Sequence, residues 1–182
     1  MKKTIAILTA GGDCPGINAV IRAVAKTAMN EFDMDIIGVE DGFLGLIEGR
    51  WRKLTYQDVS GILTLGGTIL GTSNKAEPFK VPVQEVGDTA GPDTKGSGTA
   101  RPRFVDMSDK VMEHFHQMGA STLIAIGGDG TLNISLKLLK KGMPVIGIPK
   151  TIDNDVSCTD FTFGFDSAAA TAAEAIDKLH TT

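Results

Sequence analysis

The chain has 182 residues, 42% of them hydrophobic and 22% charged, and a formal net charge of −4. At roughly 100–200 residues per domain this length favours one compact unit, and the acidic balance lacks the basic excess on which nucleic-acid binding depends. No apolar run approaches the ~20 residues of a bilayer span, and no signal-peptide pattern opens the chain. A cytoplasmic protein with neither nucleic acid nor membrane as partner is therefore expected, its two cysteines, Cys14 and Cys158, being reduced thiols rather than a disulfide framework.

In chain order, "TIAIL" (Thr4–Leu8) reads as a strand closed by glycines, and Ile17, Val20, Ile21, Val24 and Ala28 recur at helical spacing behind it. "DIIGV" (Asp35–Val39) is a second strand, followed by "DGFLGL" and a short helix expected over Tyr56–Leu63 with Asp58 in its first turn. The segment Val86–Arg103 is rich in Gly, Pro, Thr and charge, has no hydrophobic period, and is expected to be a flexible surface loop. Asp106 or Ser108 can cap a helix that carries Val111, Met112, Phe115 and Met118 on one face and ends at Gly119. His114 and His116 stand two apart on it and cannot face each other, so they are read as packing or solvent residues. "STLIAI" (Ser121–Ile126) is a third strand, "TLNISLKLLKKG" a helix, "PVIGI" (Pro144–Ile148) a fourth strand, and an alanine-rich helix runs from Asp166 or Ser167 to about His180. This alternation predicts an α/β fold with an open, mostly parallel, Rossmann-like sheet covered by helices on both faces. The chain stops where such a fold would deliver another strand, and so reads as a truncated α/β unit.

Ligands of open parallel sheets bind beyond the carboxyl ends of the strands. Three polar segments leave strands there: "TAGGDCPGIN", "GGDGTLN" and "PKTIDND". The first puts bare backbone N–H groups of Gly11, Gly12 and Gly16 at a helix start, suited to an anion or simply to a tight turn, and Cys14 within it reads as a small filler. The second sets Asp129 inside an anion-binding turn, where it either caps the helix or holds a Mg²⁺ shared with phosphate oxygens, with Thr131 as a further phosphate donor. The third is either an Asx-rich turn or the acceptor side of a phosphoryl transfer. In the latter reading, Asp153 and Asp155 project to one side of an extended segment as a base and its support, Lys150 steadies a phosphate, and Thr151 hydrogen-bonds a phosphate or the acceptor.

The ordered set "LTAGGDCPGINAVIRAV", "GVEDGFLGL", "GGTILGTS", "IGGDGTLN", "PKTIDNDV" and "CTDFTFGFDSA" resembles the 6-phosphofructokinases over nearly the whole chain except Val86–Arg103. The resemblance implies the phosphofructokinase-type large domain, with Asp153 as catalytic base, Thr151 and Asp155 beside the reacting hydroxyl, and Asp129 as the Mg²⁺ aspartate. It further implies that Gly12, Gly128, Asp129, Gly130 and Thr131 hold the nucleotide phosphates of ATP. Asn74 and Lys75 stand where many relatives have an arginine after "GTS". Gly130 matches the ATP users of the family, while Lys150 matches the pyrophosphate users, so ATP is the expected donor and pyrophosphate the alternative. Fructose 6-phosphate and ATP/ADP are then the expected partners, and a homodimer or homotetramer the expected assembly. The residues 1–182 would be the nucleotide-binding half, without the later half that carries much of the sugar-phosphate site. A nucleotide-binding module without turnover is the other reading.

Overall fold

A computed structural model describes residues 2–83 and 103–180. The loop expected at Val86–Arg103 lies outside the described residues except for Arg103. The first half of the chain forms β1 (Thr4–Thr9), α1 (Ile17–Phe32), β2 (Asp35–Val39), α2 (Phe43–Glu48), β3 (Trp51–Leu54) and β4 (Val81–Val83). The second half forms β5 (Arg103–Val105), α3 (Ser108–Gln117), β6 (Thr122–Gly127), α4 (Asp129–Lys140), β7 (Val145–Thr151), β8 (Phe163–Gly164) and α5 (Phe165–His180). Six strands make one sheet in the order β3-β2-β1-β6-β7-β8, and β4 pairs with β5 in a separate antiparallel ribbon.

The centre of the sheet follows from runs that are apolar on both faces, as buried parallel strands require. Ala6, Leu8, Leu123 and Ala125 face one layer, where they meet Phe43 and Leu46 of α2, Val111 and Phe115 of α3, and Leu138 of α4. Ile7, Ile124 and Ile126 face the other layer, against Ile17, Val20, Ile21 and Ala25 of α1. The expected α/β architecture with a mostly parallel sheet is thus present, with β1, β2, β6, β7 and β8 parallel to one another.

Four expectations need correction. Tyr56–Leu63 is a chain of turns, not a helix, although Thr55 and Asp58 make the reciprocal bonds of a helix start: Asp58 Oδ2 accepts from the backbone N–H (2.7 Å) and the hydroxyl (2.6 Å) of Thr55, and Oδ1 accepts from Arg52. The Thr55 hydroxyl, then the Thr55 backbone N–H, and lastly Arg52 hold that carboxyl below its ordinary range. Strand β3, antiparallel to β2, escapes the apolar pattern because it is an edge strand carrying Arg52 and Lys53, the kind of charge that edges tolerate. Strand β7 passes through Pro149 to Thr151 instead of stopping at Ile148. A proline is acceptable there because β7 meets β8 only at Lys150 and Thr151, so no neighbour needs the missing N–H. Finally, the sheet is not covered on both faces throughout: Ile146 of β7 is 57% exposed, and α5 exposes Ile176.

Asn18 braces the middle of the long irregular segment between β3 and β4. Asn18, 2% exposed on α1, donates to the carbonyls of Leu65 (3.2 Å) and Gly66 (3.0 Å) and accepts from the Ile69 N–H at 2.8 Å. Its replacement leaves three backbone groups to find new partners. We expect Asn18→Ala to lose about 1–3 kcal/mol of folding free energy, and a urea midpoint equal to that of the wild type would contradict this role.

Candidate active site

The exits of β1, β6 and β7 converge at one edge of the sheet, as parallel strand order demands. The segment around Ser73 is stitched onto the β1 exit: Thr9 Oγ1 donates to the Gly71 carbonyl (2.7 Å), Thr72 Oγ1 to the Gly11 carbonyl (2.7 Å), and the Gly11 N–H to the Ser73 carbonyl (3.2 Å). Two adjoining cavities result. One, of about 320 Å³, is lined by Gly12, Asp13, Gly128, Lys150, Thr151 and Asp153. The other, of about 410 Å³, is lined by Asn74, Lys75, Phe43, Ile134 and Phe104 among others, and Gly11, Gly130 and Thr131 belong to both.

Lys150 is the buried charge of the smaller cavity, whose wall also carries the exposed carboxylates of Asp13 and Asp153. It is 5% exposed and its Nζ donates to the Gly12 carbonyl, yet among the described residues no carboxylate forms an ion pair with it. A buried cation without a counter-ion is costly. The cost falls if an anion enters the cavity, where the N-terminus of α4 adds its own partial positive charge. Thr131, 5% exposed, stands at that helix end and lines both cavities.

Cys14 lines the same cavity, where burial raises the thiol above its ordinary range and the field of Lys150, which opposes this, is the smaller effect. It remains the small filler that its surroundings suggest, against Gly164. Asp129 is the first helical residue of α4 rather than its cap, is exposed, and among the described residues its carboxylate has no hydrogen-bond or ion-pair partner. The capping reading therefore fails, and this carboxylate is available for a ligand. No group of three His, Cys, Asp or Glu side chains gathers for a metal among the described residues. A cation here would need oxygens from a bound ligand, as Mg²⁺ commonly does.

The loop after β7 differs from the extended segment expected for Asp153 and Asp155. Asn154 has φ 53°, a left-handed conformation that bends the chain between them. Thr151 and Asp153 line the smaller cavity, the Asp153 N–H donating to Thr151 Oγ1 (3.1 Å), whereas Asp155 is exposed and does not line it. The bend is held by groups that the sequence reading missed. Asn154 Oδ1 accepts from the Thr162 N–H (2.9 Å), Asn154 Nδ2 donates to the Asp160 carbonyl (3.3 Å), and Thr162 Oγ1 donates to the Thr151 carbonyl (3.0 Å). An asparagine between two aspartates was the available signal, since asparagine tolerates the left-handed region better than most residues. Asp13, on the opposite wall, was also missed as a lining residue.

The family model for phosphofructokinase matches residues 4–182. The chain belongs to the phosphofructokinase family. It is 47% identical over 180 residues to ATP-dependent 6-phosphofructokinase 2 of Clostridium perfringens, covering 99% of this chain and 46% of that one. It is 44% identical over 178 residues to ATP-dependent 6-phosphofructokinase 2 of Streptomyces coelicolor, covering 98% and 45%. Among solved phosphofructokinase structures, that of Saccharomyces cerevisiae superposes with a TM-score of 0.71 at 28% identity, covering 99% of this chain and 24% of that one. That of Pichia pastoris in the T-state superposes with a TM-score of 0.72 at 27% identity, covering 91% and 17%. The chain spans about half the length of the curated relatives it matches.

If the uncompensated ammonium of Lys150 makes this phosphofructokinase cavity an anion site, Lys150→Met should weaken inorganic pyrophosphate binding about tenfold or more. The same change should leave thermal stability without ligand equal or higher, because it removes a buried unpaired charge. Calorimetric titration together with thermal unfolding reads both. Unchanged pyrophosphate affinity would show that Lys150 serves only to tether Gly12.

Proposed function

We propose that this chain forms the phosphoryl-donor half of an ATP-dependent 6-phosphofructokinase, which moves the γ-phosphoryl group of ATP to the 1-hydroxyl of fructose 6-phosphate and yields fructose 1,6-bisphosphate for glycolysis. The observation that carries the reading is the single cavity whose lining combines the buried Lys150 ammonium and the first turn of α4 with an exposed carboxylate, Asp153. The names of the relatives, ATP-dependent 6-phosphofructokinases, support the substrates.

The chemistry asks little covalent work of the protein. The acceptor oxygen forms a bond to the γ-phosphorus as the bond from that phosphorus to the β-phosphate bridging oxygen breaks, and ADP carries away that electron pair. Asp153, exposed and lining the cavity, accepts the hydroxyl proton. Thr151 orients Asp153 through the hydrogen bond to its backbone N–H, and Lys150, Thr131 and the N–H groups around Gly128 and Gly130 receive the phosphate oxygens. Asn74 and Lys75 line the neighbouring cleft on the nucleotide side. Asp129, unpartnered and exposed at the helix mouth, is the residue that would hold Mg²⁺. Mg²⁺ would neutralise phosphate charge when bound.

Gly130 favours ATP. A Cβ at this position would meet nothing within 4 Å and would point into open space where the two cavities join. A glycine there leaves the passage clear for a triphosphate, and a larger acidic side chain would narrow it and repel the phosphates. Pyrophosphate as donor is the second reading, favoured by the burial of Lys150 beside the phosphate loops. We place the protein in the cytoplasm, acting as a homodimer or homotetramer. No helix among the described residues is long and apolar enough to cross a membrane.

In the complete natural polypeptide, Asp153→Asn should lower kcat about 10²–10⁴-fold, the usual contribution of a positioned base, with the KM for ATP little changed. Steady-state assays with fructose 6-phosphate, Mg²⁺ and either ATP or pyrophosphate decide both points. Retained kcat in the variant would remove Asp153 as base, and turnover with pyrophosphate in preference to ATP would overturn the donor.

A further inference from the structure

We propose that Thr162 is a positioning residue for the phosphoryl transfer: through Thr151 and Asn154 it holds the backbone on both sides of Asp153, so that the carboxylate meets the acceptor hydroxyl in one place. This rests on the reading of Asp153 as the base. Thr162 is 5% exposed although polar, and both of its donors are spent on the loop after β7. Its hydroxyl donates to the Thr151 carbonyl (3.0 Å), two residues before Asp153, and its N–H donates to Asn154 Oδ1 (2.9 Å), one residue after it. The Asp153 N–H itself donates to Thr151 Oγ1 (3.1 Å). The chain is thus tied before, at and after Asp153, whose exposed side chain lines the cavity.

The anchor is the sheet rather than the loop. Thr162 immediately precedes β8, whose Phe163 and Gly164 pair in parallel with Lys150 and Thr151. Gly164, at φ 112°, lies so close to the β1 exit that a Cβ there would stand 2.6 Å from Cys14 Sγ and 3.2 Å from the Thr151 carbonyl oxygen. A glycine is therefore what lets β8 lie against both the β1 exit and β7. The left-handed turn at Asn154, φ 53°, is a conformation that asparagine tolerates rather than prefers, and the bond from Thr162 supplies an outside hold on it. Valine has nearly the shape of threonine but no hydroxyl, so Thr162→Val keeps the packing and leaves the Thr151 carbonyl without its partner.

The test is steady-state kinetics of the complete natural protein with fructose 6-phosphate and Mg·ATP, in the wild-type and the Asp153→Asn backgrounds. We expect Thr162→Val to lower kcat about ten- to a hundredfold, the range for a reacting group moved by about 1 Å, with the KM for ATP within about twofold of the wild type. Asn154→Gly, which permits the left-handed turn but lacks the amide, should do the same, and Thr162→Ser should keep kcat within about threefold of the wild type because it retains the hydroxyl. In the Asp153→Asn background, Thr162→Val and Asn154→Gly should lower kcat by less than about twofold further, since they act through the carboxylate already removed. Equal losses in the two backgrounds would overturn the proposal, because Thr162 would then only support the fold, and so would a wild-type kcat in Thr162→Val. Should Thr162→Val fail to fold, as thermal unfolding would reveal, the half-buried Asn154 at the other end of the bond decides through Asn154→Gly. A wild-type kcat in Asp153→Asn alone would remove the base and this proposal together, a result distinct from the others.

Discussion

The arrangement at the sheet edge depends on one buried positive charge. Lys150 comes from the end of β7, crosses to the β1 exit, and donates to the Gly12 carbonyl, so that two loops 138 residues apart in the chain are held by one ammonium group. No carboxylate compensates it among the described residues, and neutral carbonyls satisfy such a charge only partly. The protein thus carries a buried positive charge without an ion-pair partner close to the N-terminus of α4, a setting that favours an anion.

The elements around the ammonium bring Thr151 and Asp153 into the same small volume. Strand β7 has a nearly free edge, which lets Pro149 stand in the strand and brings Thr151 to the cavity as part of regular structure rather than of a loop. Just beyond, Asn154 accepts left-handed geometry and spends its amide on Thr162 and Asp160, fixing the direction in which Asp153 leaves the sheet. A base placed by hydrogen-bonded backbone keeps its distance to a substrate better than one on an untethered loop. On the opposite wall, the residues from Thr68 to Ser73 are tied to Thr9 and Gly11, so the nucleotide side of the site inherits the rigidity of the central strand.

The two cavities divide the labour. The smaller is lined by glycine backbone, Thr131 and Lys150 together with the carboxylates of Asp13 and Asp153; the larger adds aromatic and aliphatic surface from α2, α4 and the β4–β5 ribbon. Their junction at Gly130 has no side chain to close it.

Much of this was determined locally and is legible in the residues. Apolar runs closed by glycine placed β1, β2 and β6, helical spacing placed α1, α3 and α4, and the rule that ligands gather beyond parallel strands placed the three polar loops together. What failed did so where distant partners decide. Thr55 and Asp58 make the bonds of a helix start yet only turns follow, and β3 carries no apolar period because only its pairing with β2 makes it a strand. Asp155 shares a spacing with Asp153 but not a cavity, since the left-handed Asn154 turns the chain between them. The sequence by itself determined which chemical groups stand at the strand exits, because hydrophobic period and turn residues are properties of neighbours along the chain. Only the tertiary structure decided which of those groups face one another, that Lys150 is buried without a counter-ion, and that Phe104 meets the cleft, because burial and pairing depend on residues that the chain brings together from far apart.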